Sequence, residues 1–119
     1  MYEIPEDLDI QRFVGLVVHS VRFNENQIVF DFEEAYTQIV IEGEFKHSGG
    51  AIIADGEIRS PPVSSSSLMQ LVYSTVSDCT SPDRRNLLFS FSNGHTFTAI
   101  NSEYYESFRI YIDHKEFIL

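Results

Sequence analysis

The chain has 119 residues, 43% of them hydrophobic, and its eighteen acidic against eight basic side chains give a formal charge of −10. The length predicts a single domain over residues 1–119. The charge argues against nucleic acid and anionic membranes, because both favour proteins with a basic face.

Cysteine content and hydropathy indicate the cellular compartment. Cys79 is the only cysteine, so neither a disulfide framework nor a cysteine pair for a metal is expected. No apolar run approaches the roughly 18 residues that a membrane span needs. The acidic N-terminus is unlike a signal peptide. We therefore expect a cytoplasmic protein.

Two short helices are predicted, one at the start of each half of the chain. The first begins at a cap provided by Asp7 or Asp9 and ends at Gly15. Its apolar residues have the i, i+3, i+4 spacing of one helical face: Ile10, Phe13 and Val14. The second begins in the serine run 64–67. Its apolar residues repeat that spacing: Leu68, Leu71 and Val72.

Strands follow each helix, and period-two alternation places their aromatic residues on one face. In the first half this pattern involves Phe30 and Phe32, and in the second Phe89 and Phe91. Asn93-Gly94 follows the second pair and predicts a two-residue type I′ hairpin, because both residues tolerate positive φ.

The two halves therefore form an internal repeat, 7–45 and 64–112. Each consists of a helix and a three-stranded meander. Because two such units bury each other's apolar faces, the predicted fold is α+β. It would have two short helices on a mostly antiparallel β-sheet built from two similar halves.

Enzyme motifs are absent from the sequence. The four histidines, none of them at HxH or HxxxH spacing, are His19, His47, His95 and His114. No GxSxG elbow or GxGxxG loop occurs. Cys79 is expected to pack as a small hydrophobic residue. We therefore predict no catalytic residue, no metal and no cofactor.

Paired carboxylates are the most suggestive feature. Asp31 with Glu33 and Glu42 with Glu44 each have i, i+2 spacing on adjacent predicted strands, so each pair shares a face. If the register joins them, four carboxylates form one patch, and Glu34 adds another at its edge. A glycosidase pair, a calcium site, a solvated outer face and a surface for a basic partner all remain open. Mutual repulsion would destabilise such a patch, and a cationic partner would offset it.

Tyrosines near the C-terminus provide a candidate contact for the same partner. Tyr104 and Tyr105 precede a strand, and tyrosine is enriched at interface hot spots. An exposed Tyr104 beside Glu106 would extend the acidic surface.

Two segments carry a resemblance to a known kind of protein. The hairpin LFSFSNG at 88–94 and the segment YESF at 105–108 resemble small bacterial proteins of unknown function. The overall layout is similar to that of immunity proteins from contact-dependent growth inhibition and related polymorphic toxin systems. The turn of the first hairpin departs from the pattern, since Glu33 to Tyr36 stand where such proteins often have Asp-Gly.

The resemblance implies a non-enzymatic immunity protein that binds and occludes a basic toxin domain, such as a nuclease, as a monomer or weak dimer. The expected partner-binding residues combine both sets above: Asp31, Glu33, Glu34, Glu42, Glu44, Tyr104 and Glu106. The alternative is a small ligand-binding or enzymatic domain with a pocket between the two halves.

Overall fold

A computed structural model describes residues 3–24, 26–48, 58–59, 66–102 and 107–119. Those ranges contain two 3₁₀ helices, Ile10–Phe13 and Ser66–Leu71, and ten strands. The strands are β1 (Val18–Phe23), β2 (Ile28–Phe32), β3 (Gln38–Ile41), β4 (Phe45–Ser48), β5 (Ile58–Arg59), β6 (Val76–Thr80), β7 (Leu87–Phe91), β8 (Thr96–Ala99), β9 (Phe108–Ile112) and β10 (Lys115–Ile118).

The predicted α+β class is wrong, because the described residues contain no α-helix and form two antiparallel sheets instead of one. Both predicted helices are short 3₁₀ segments. Gly15 (φ +90°) and Tyr73 (φ +68°) turn the backbone out of helical conformation soon after them. Four to six residues are too few to offset the cost of nucleating an α-helix, whereas short 3₁₀ helices are common connectors.

The two sheets have equivalent strand orders, β1-β2-β3-β9-β10 and β6-β7-β8-β4-β5. Each half of the chain builds the first three strands of one sheet and then sends a hairpin into the other sheet. The hairpin β4–β5 of the first half pairs with β8, and the hairpin β9–β10 of the second half pairs with β3. Neither sheet is therefore made by one half alone.

The local irregularities repeat as well. The ladder between β1 and β2 has a bulge between Val18 and Ser20, and the ladder between β6 and β7 has one between Val76 and Asp78. The two halves meet through an antiparallel bridge between Val17 and Thr75. These two residues are 58 positions apart, so they are equivalent members of the two halves.

Aromatic side chains fill the space between the sheets. The Phe30 and Phe97 rings, one from each sheet, pack edge to face at 4.8 Å, and Phe13 packs on Phe89 at 5.3 Å. The void among the inner phenylalanines has a volume of about 10 Å³, close to the minimum for one water molecule. The interior is thus a packed core. No helix of the described residues is long and apolar enough to cross a membrane.

Candidate binding surface

The register separates the predicted carboxylate pairs. Asp31 on β2 faces Gln38, while Ile28 faces Ile41, so Glu42 lies beyond the other end of this ladder. Four residues of strand separate the two carboxylates, a distance of about 13 Å. The structure therefore does not join them into a four-carboxylate patch.

Asp31 is already neutralised within the chain. It accepts hydrogen bonds from Arg22 Nε (2.6 Å), Gln38 Nε2 (2.6 Å) and Ser20 Oγ (3.0 Å). Partial burial disfavours the charged carboxylate, but these hydrogen bonds outweigh it and hold the pKa of Asp31 below its usual value. The negative charge of Asp31 is therefore largely balanced by partners on the same face of the sheet.

Glu42 has a comparable arrangement. It accepts hydrogen bonds from Arg109 Nε (2.9 Å) and Gln27 Nε2 (3.3 Å). Arg109 lies on β9, so this ion pair exists because the hairpin of the second half enters the sheet of the first. The outer face of this sheet thus carries two internal ion pairs, Arg22–Asp31 and Arg109–Glu42.

The remaining predicted residues are scattered. Glu33 and Glu44 are exposed near opposite ends of β3, and neither side chain has a partner among the described residues. Glu34 contacts Arg12. Tyr104 and Glu106 lie outside the described residues.

A different cluster lies where two turns of the first sheet meet. The Tyr36 ring, in the turn between β2 and β3, packs at a tilt of 44° against the His114 ring, in the turn between β9 and β10, with centroids 5.3 Å apart. Arg12 links the same two turns, because it contacts Glu34 and lies 3.5 Å from Asp113. We call this cluster the turn-end surface; its members are Arg12, Glu34, Tyr36, Tyr111, Asp113, His114, Lys115 and Glu116.

The backbone of the turn-end surface is strained. Tyr36, Asp113 and His114 have φ of +63°, +54° and +61°. In this left-handed region a residue with a Cβ is disfavoured by about 1–2 kcal/mol. Tyr36 is 74% exposed, so burial of its ring does not offset this cost. Uncompensated strain of this kind is concentrated at functional sites.

The turn-end surface also forms an open hollow of about 340 Å³, lined by Tyr36, Tyr111, His114, Lys115 and Glu116. The Tyr111 hydroxyl donates a hydrogen bond to Glu116. That bond, followed by partial burial, raises the pKa of Tyr111 above its usual value. The hydroxyl is therefore neutral and its proton is engaged by Glu116. The hollow is large enough to hold a partner's side chain.

Further acidic groups lie beside this hollow. A neighbouring depression of about 50 Å³ is lined by Asp7 and Asp9 together with Asp113. Glu33 adjoins Glu34 in the β2–β3 turn. Adding Asp7, Asp9 and Glu33 to the turn-end surface gives six carboxylates against two basic side chains, a net charge of −4. This end of the molecule therefore combines exposed aromatic rings with an acidic rim.

The histidines and the cysteine form no comparable site. His47 Nε2 and His95 Nδ1 are hydrogen bonded at 2.8 Å, and both side chains are buried on the inner side of the second sheet. Within the described ranges, no group of three histidine, cysteine or carboxylate side chains is placed to hold a metal. Cys79 is buried, and burial, with a smaller contribution from Asp78, raises the pKa of its thiol to about 12. It is thus a core residue, as the sequence suggested.

Sequence reasoning missed the turn-end surface, although two signals were available. Asp113-His114 lies between the strand residues Ile112 and Lys115, which is the layout of a two-residue hairpin turn. Tyr36 stands 58 positions before Gly94. The repeat therefore places Tyr36 where glycine is the natural residue.

Comparisons with known proteins identify a family. One family model, described as a family of unknown function (DUF6188), matches residues 9–119. No curated protein and no solved structure matches the chain.

Proposed function

Because the chain belongs to DUF6188, a family of unknown function, we propose a function from its own surface. It is a non-enzymatic immunity protein that binds and occludes a basic toxin domain, such as a nuclease, in the cytoplasm of the producing cell. The observation that carries the proposal is the strained, exposed Tyr36 packed against His114 beside an acidic rim. Tyrosine is enriched at interface hot spots.

The mechanism is occlusion in two steps. The acidic rim and the overall charge of −10 attract a cationic surface and accelerate encounter. Arginine or lysine side chains of the toxin then enter the turn-end surface, where Tyr36 offers a ring face and Glu116 a carboxylate. A guanidinium is suited to both contacts. Once bound, the carboxylates occupy positions that substrate phosphates would take on a nuclease.

The alternative, a ligand-binding or enzymatic domain, requires a pocket between the halves. The space between the sheets is a void of about 10 Å³ lined by side chains such as Phe30, Phe89 and Phe97. Ligand sites usually measure about 300 Å³ or more.

A hollow of about 400 Å³ does lie between the halves, lined by residues such as Leu8, Ile10 and Arg84. Among the described residues, its ionisable lining groups are Glu6 and Arg84, with no histidine, cysteine or paired carboxylate, so the protein-binding proposal is favoured.

The test is a pull-down of the protein encoded beside this chain, at low and high salt. Glu33→Gln should weaken the complex severalfold and reduce its salt dependence, because Glu33 lies in the rim. Glu44→Gln is the matched control, since Glu44 is also exposed near the other end of β3 and has no partner among the described residues. Equal effects of both substitutions would show that only net charge matters, and no complex at either salt would reject the proposal.

A further inference from the structure

Tyr73 occupies a backbone position that the other half fills with glycine. The Tyr73 N–H donates to the Val18 carbonyl (2.8 Å), and the Gly15 N–H donates to the Val76 carbonyl (2.8 Å). Val18 and Val76 are themselves 58 positions apart, as are Gly15 and Tyr73. Both φ angles are positive, +68° for Tyr73 and +90° for Gly15. The two residues are thus equivalent.

At a second pair of equivalent positions the first half has the tyrosine, Tyr36, and the second half has the glycine, Gly94. Tyr36 precedes Thr37, whose carbonyl accepts from Phe32, just as Gly94 precedes His95, whose carbonyl accepts from Phe91. Gly94 has φ +89° and Tyr36 has φ +63°. Each half therefore has one glycine and one tyrosine at these two left-handed positions.

Neither tyrosine gains much from its position within the fold. Tyr73 is 80% exposed and Tyr36 is 74% exposed. Glycine would hold both turns without strain, as it does at the equivalent sites. A strained, exposed aromatic residue at both positions indicates that the rings themselves are used.

Both rings border the same end of the first sheet. Tyr73 is hydrogen bonded to Val18, Val18 is paired with Phe32, and Phe32 is hydrogen bonded to Thr37, the residue after Tyr36. Three strand spacings therefore separate the backbone of Tyr73 from the backbone next to Tyr36, a distance of about 14 Å. An interface of about 800 Å² per partner easily covers that distance.

We propose that Tyr73 is a second binding anchor beside the turn-end surface. Together, Tyr36 and Tyr73 form a two-tyrosine face that binds an arginine-bearing surface of a basic protein. This inference rests on the proposed function. Charge complementarity selects the occupant, because the turn-end surface and its acidic rim carry a net charge of −4, and Glu33 and Glu34 lie in the turn that leads to Tyr36. A second copy of this chain would bring like charge to the same place.

The test uses the full chain and a fluorescent nona-arginine peptide, with binding followed by anisotropy. Tyr36→Gly and Tyr73→Gly keep every charge, and each should weaken binding about threefold through loss of a cation–π contact. Tyr73→Phe should retain wild-type affinity because it keeps the ring. Phe23→Ala is the control, since Phe23 is an exposed aromatic residue at the other end of β1. The affinity of a nona-lysine peptide should fall less in the two tyrosine-to-glycine variants, because an ammonium group stacks less well on a ring.

The outcomes separate the two proposals. If Tyr36→Gly weakens binding and Tyr73→Gly does not, the assignment of Tyr73 is overturned and the turn-end surface stands. If neither substitution changes the affinity, both are overturned. A concentration-dependent dimer that is lost in Tyr73→Gly would assign the ring to a second copy of the chain and would also overturn the inference.

Discussion

Replacing Tyr73 by glycine should leave the stability of the protein nearly unchanged, because a backbone gain and the loss of the ring's contacts are of similar size. The left-handed conformation of Tyr73 (φ +68°) costs a residue with a Cβ about 1–2 kcal/mol relative to its preferred region. Glycine avoids this cost but loses about 0.5–1 kcal/mol more backbone entropy on folding. The backbone difference alone predicts an increase of about 0.5–1 kcal/mol in the free energy of unfolding.

Loss of the ring's contacts offsets most of this gain. Tyr73 is 80% exposed, so about one fifth of its surface, roughly 40 Å², is covered. At about 25 cal/mol per Å², that area corresponds to about 1 kcal/mol against a fully extended chain. Because a realistic unfolded chain lowers this burial by about 10–40%, the ring contributes about 0.6–0.9 kcal/mol. The net change in the free energy of unfolding is therefore close to zero.

Urea and thermal unfolding followed by circular dichroism measure the effect. Tyr73→Gly should shift Tm by less than about 3 °C in either direction for a domain of this size. The reverse exchange is the control. A Cβ at Gly15 meets nothing within 4 Å, so Gly15→Tyr adds backbone strain without a clash and should lower the free energy of unfolding by about 0.5–1 kcal/mol.

A loss of 1 kcal/mol or more in Tyr73→Gly would refute the reasoning, since it would show that the ring is packed for stability. The predicted combination is a variant of nearly unchanged stability that binds less well. A strained residue that the fold does not need for stability is expected where the residue is retained for function.

Three further outcomes follow from the core and the sheet face. Asp31→Asn should lower the free energy of unfolding by about 1–2 kcal/mol at pH 7. Because the folded pKa of Asp31 is lowered, this stabilisation is present above about pH 4 and is lost as the pH falls through the folded pKa. Urea unfolding at pH 3 should therefore show a smaller difference in stability between the wild type and Asp31→Asn. An unchanged difference would contradict the hydrogen-bond account. Cys79, whose pKa is raised to about 12, should resist a thiol reagent at pH 8 until the protein unfolds, and rapid labelling would contradict its burial. Phe89→Ala should cost about 3–5 kcal/mol in chemical unfolding, whereas Phe89→Leu should cost about 1.5 kcal/mol or less; a small loss for alanine would mean that the contact with Phe13 is not central.

The strands were predictable because their signal is local. Phe89 and Phe91 were expected to share one face of a strand, and both are buried against the core. Period-two alternation over five residues is enough to fix which side of a strand is buried.

The helices were not predictable from spacing over a single turn. Ile10 and Phe13 have the separation that both an α-helix and a 3₁₀ helix place on one side, and only the length of the segment distinguishes them. The type I′ turn at Asn93-Gly94 is also wrong, because Gly94 alone has positive φ. Three residues separate Phe91 from His95, as expected for the longer hairpin loop with one left-handed residue.

The candidate site depended on register and topology, which are not local. Asp31 and Glu42 are far apart because Asp31 is opposite Gln38. The ion pair between Glu42 and Arg109 joins residues 67 positions apart. Neither contact follows from the pattern of one strand, because the crossing of hairpins between the halves decides it.

The same crossing makes the proposed surface one-sided. The turn-end surface needs Tyr36 from the first half and His114 from the hairpin that the second half contributes. At the equivalent end of the second sheet, Gly94 replaces Tyr36, and the turn between β4 and β5 lies outside the described residues. Without a ring at position 94, that end lacks the aromatic centre of the turn-end surface. We therefore expect one basic partner per chain, which titration calorimetry can measure. Two equivalent sites would contradict this expectation, because they would show that features shared by both halves of the repeat bind the partner.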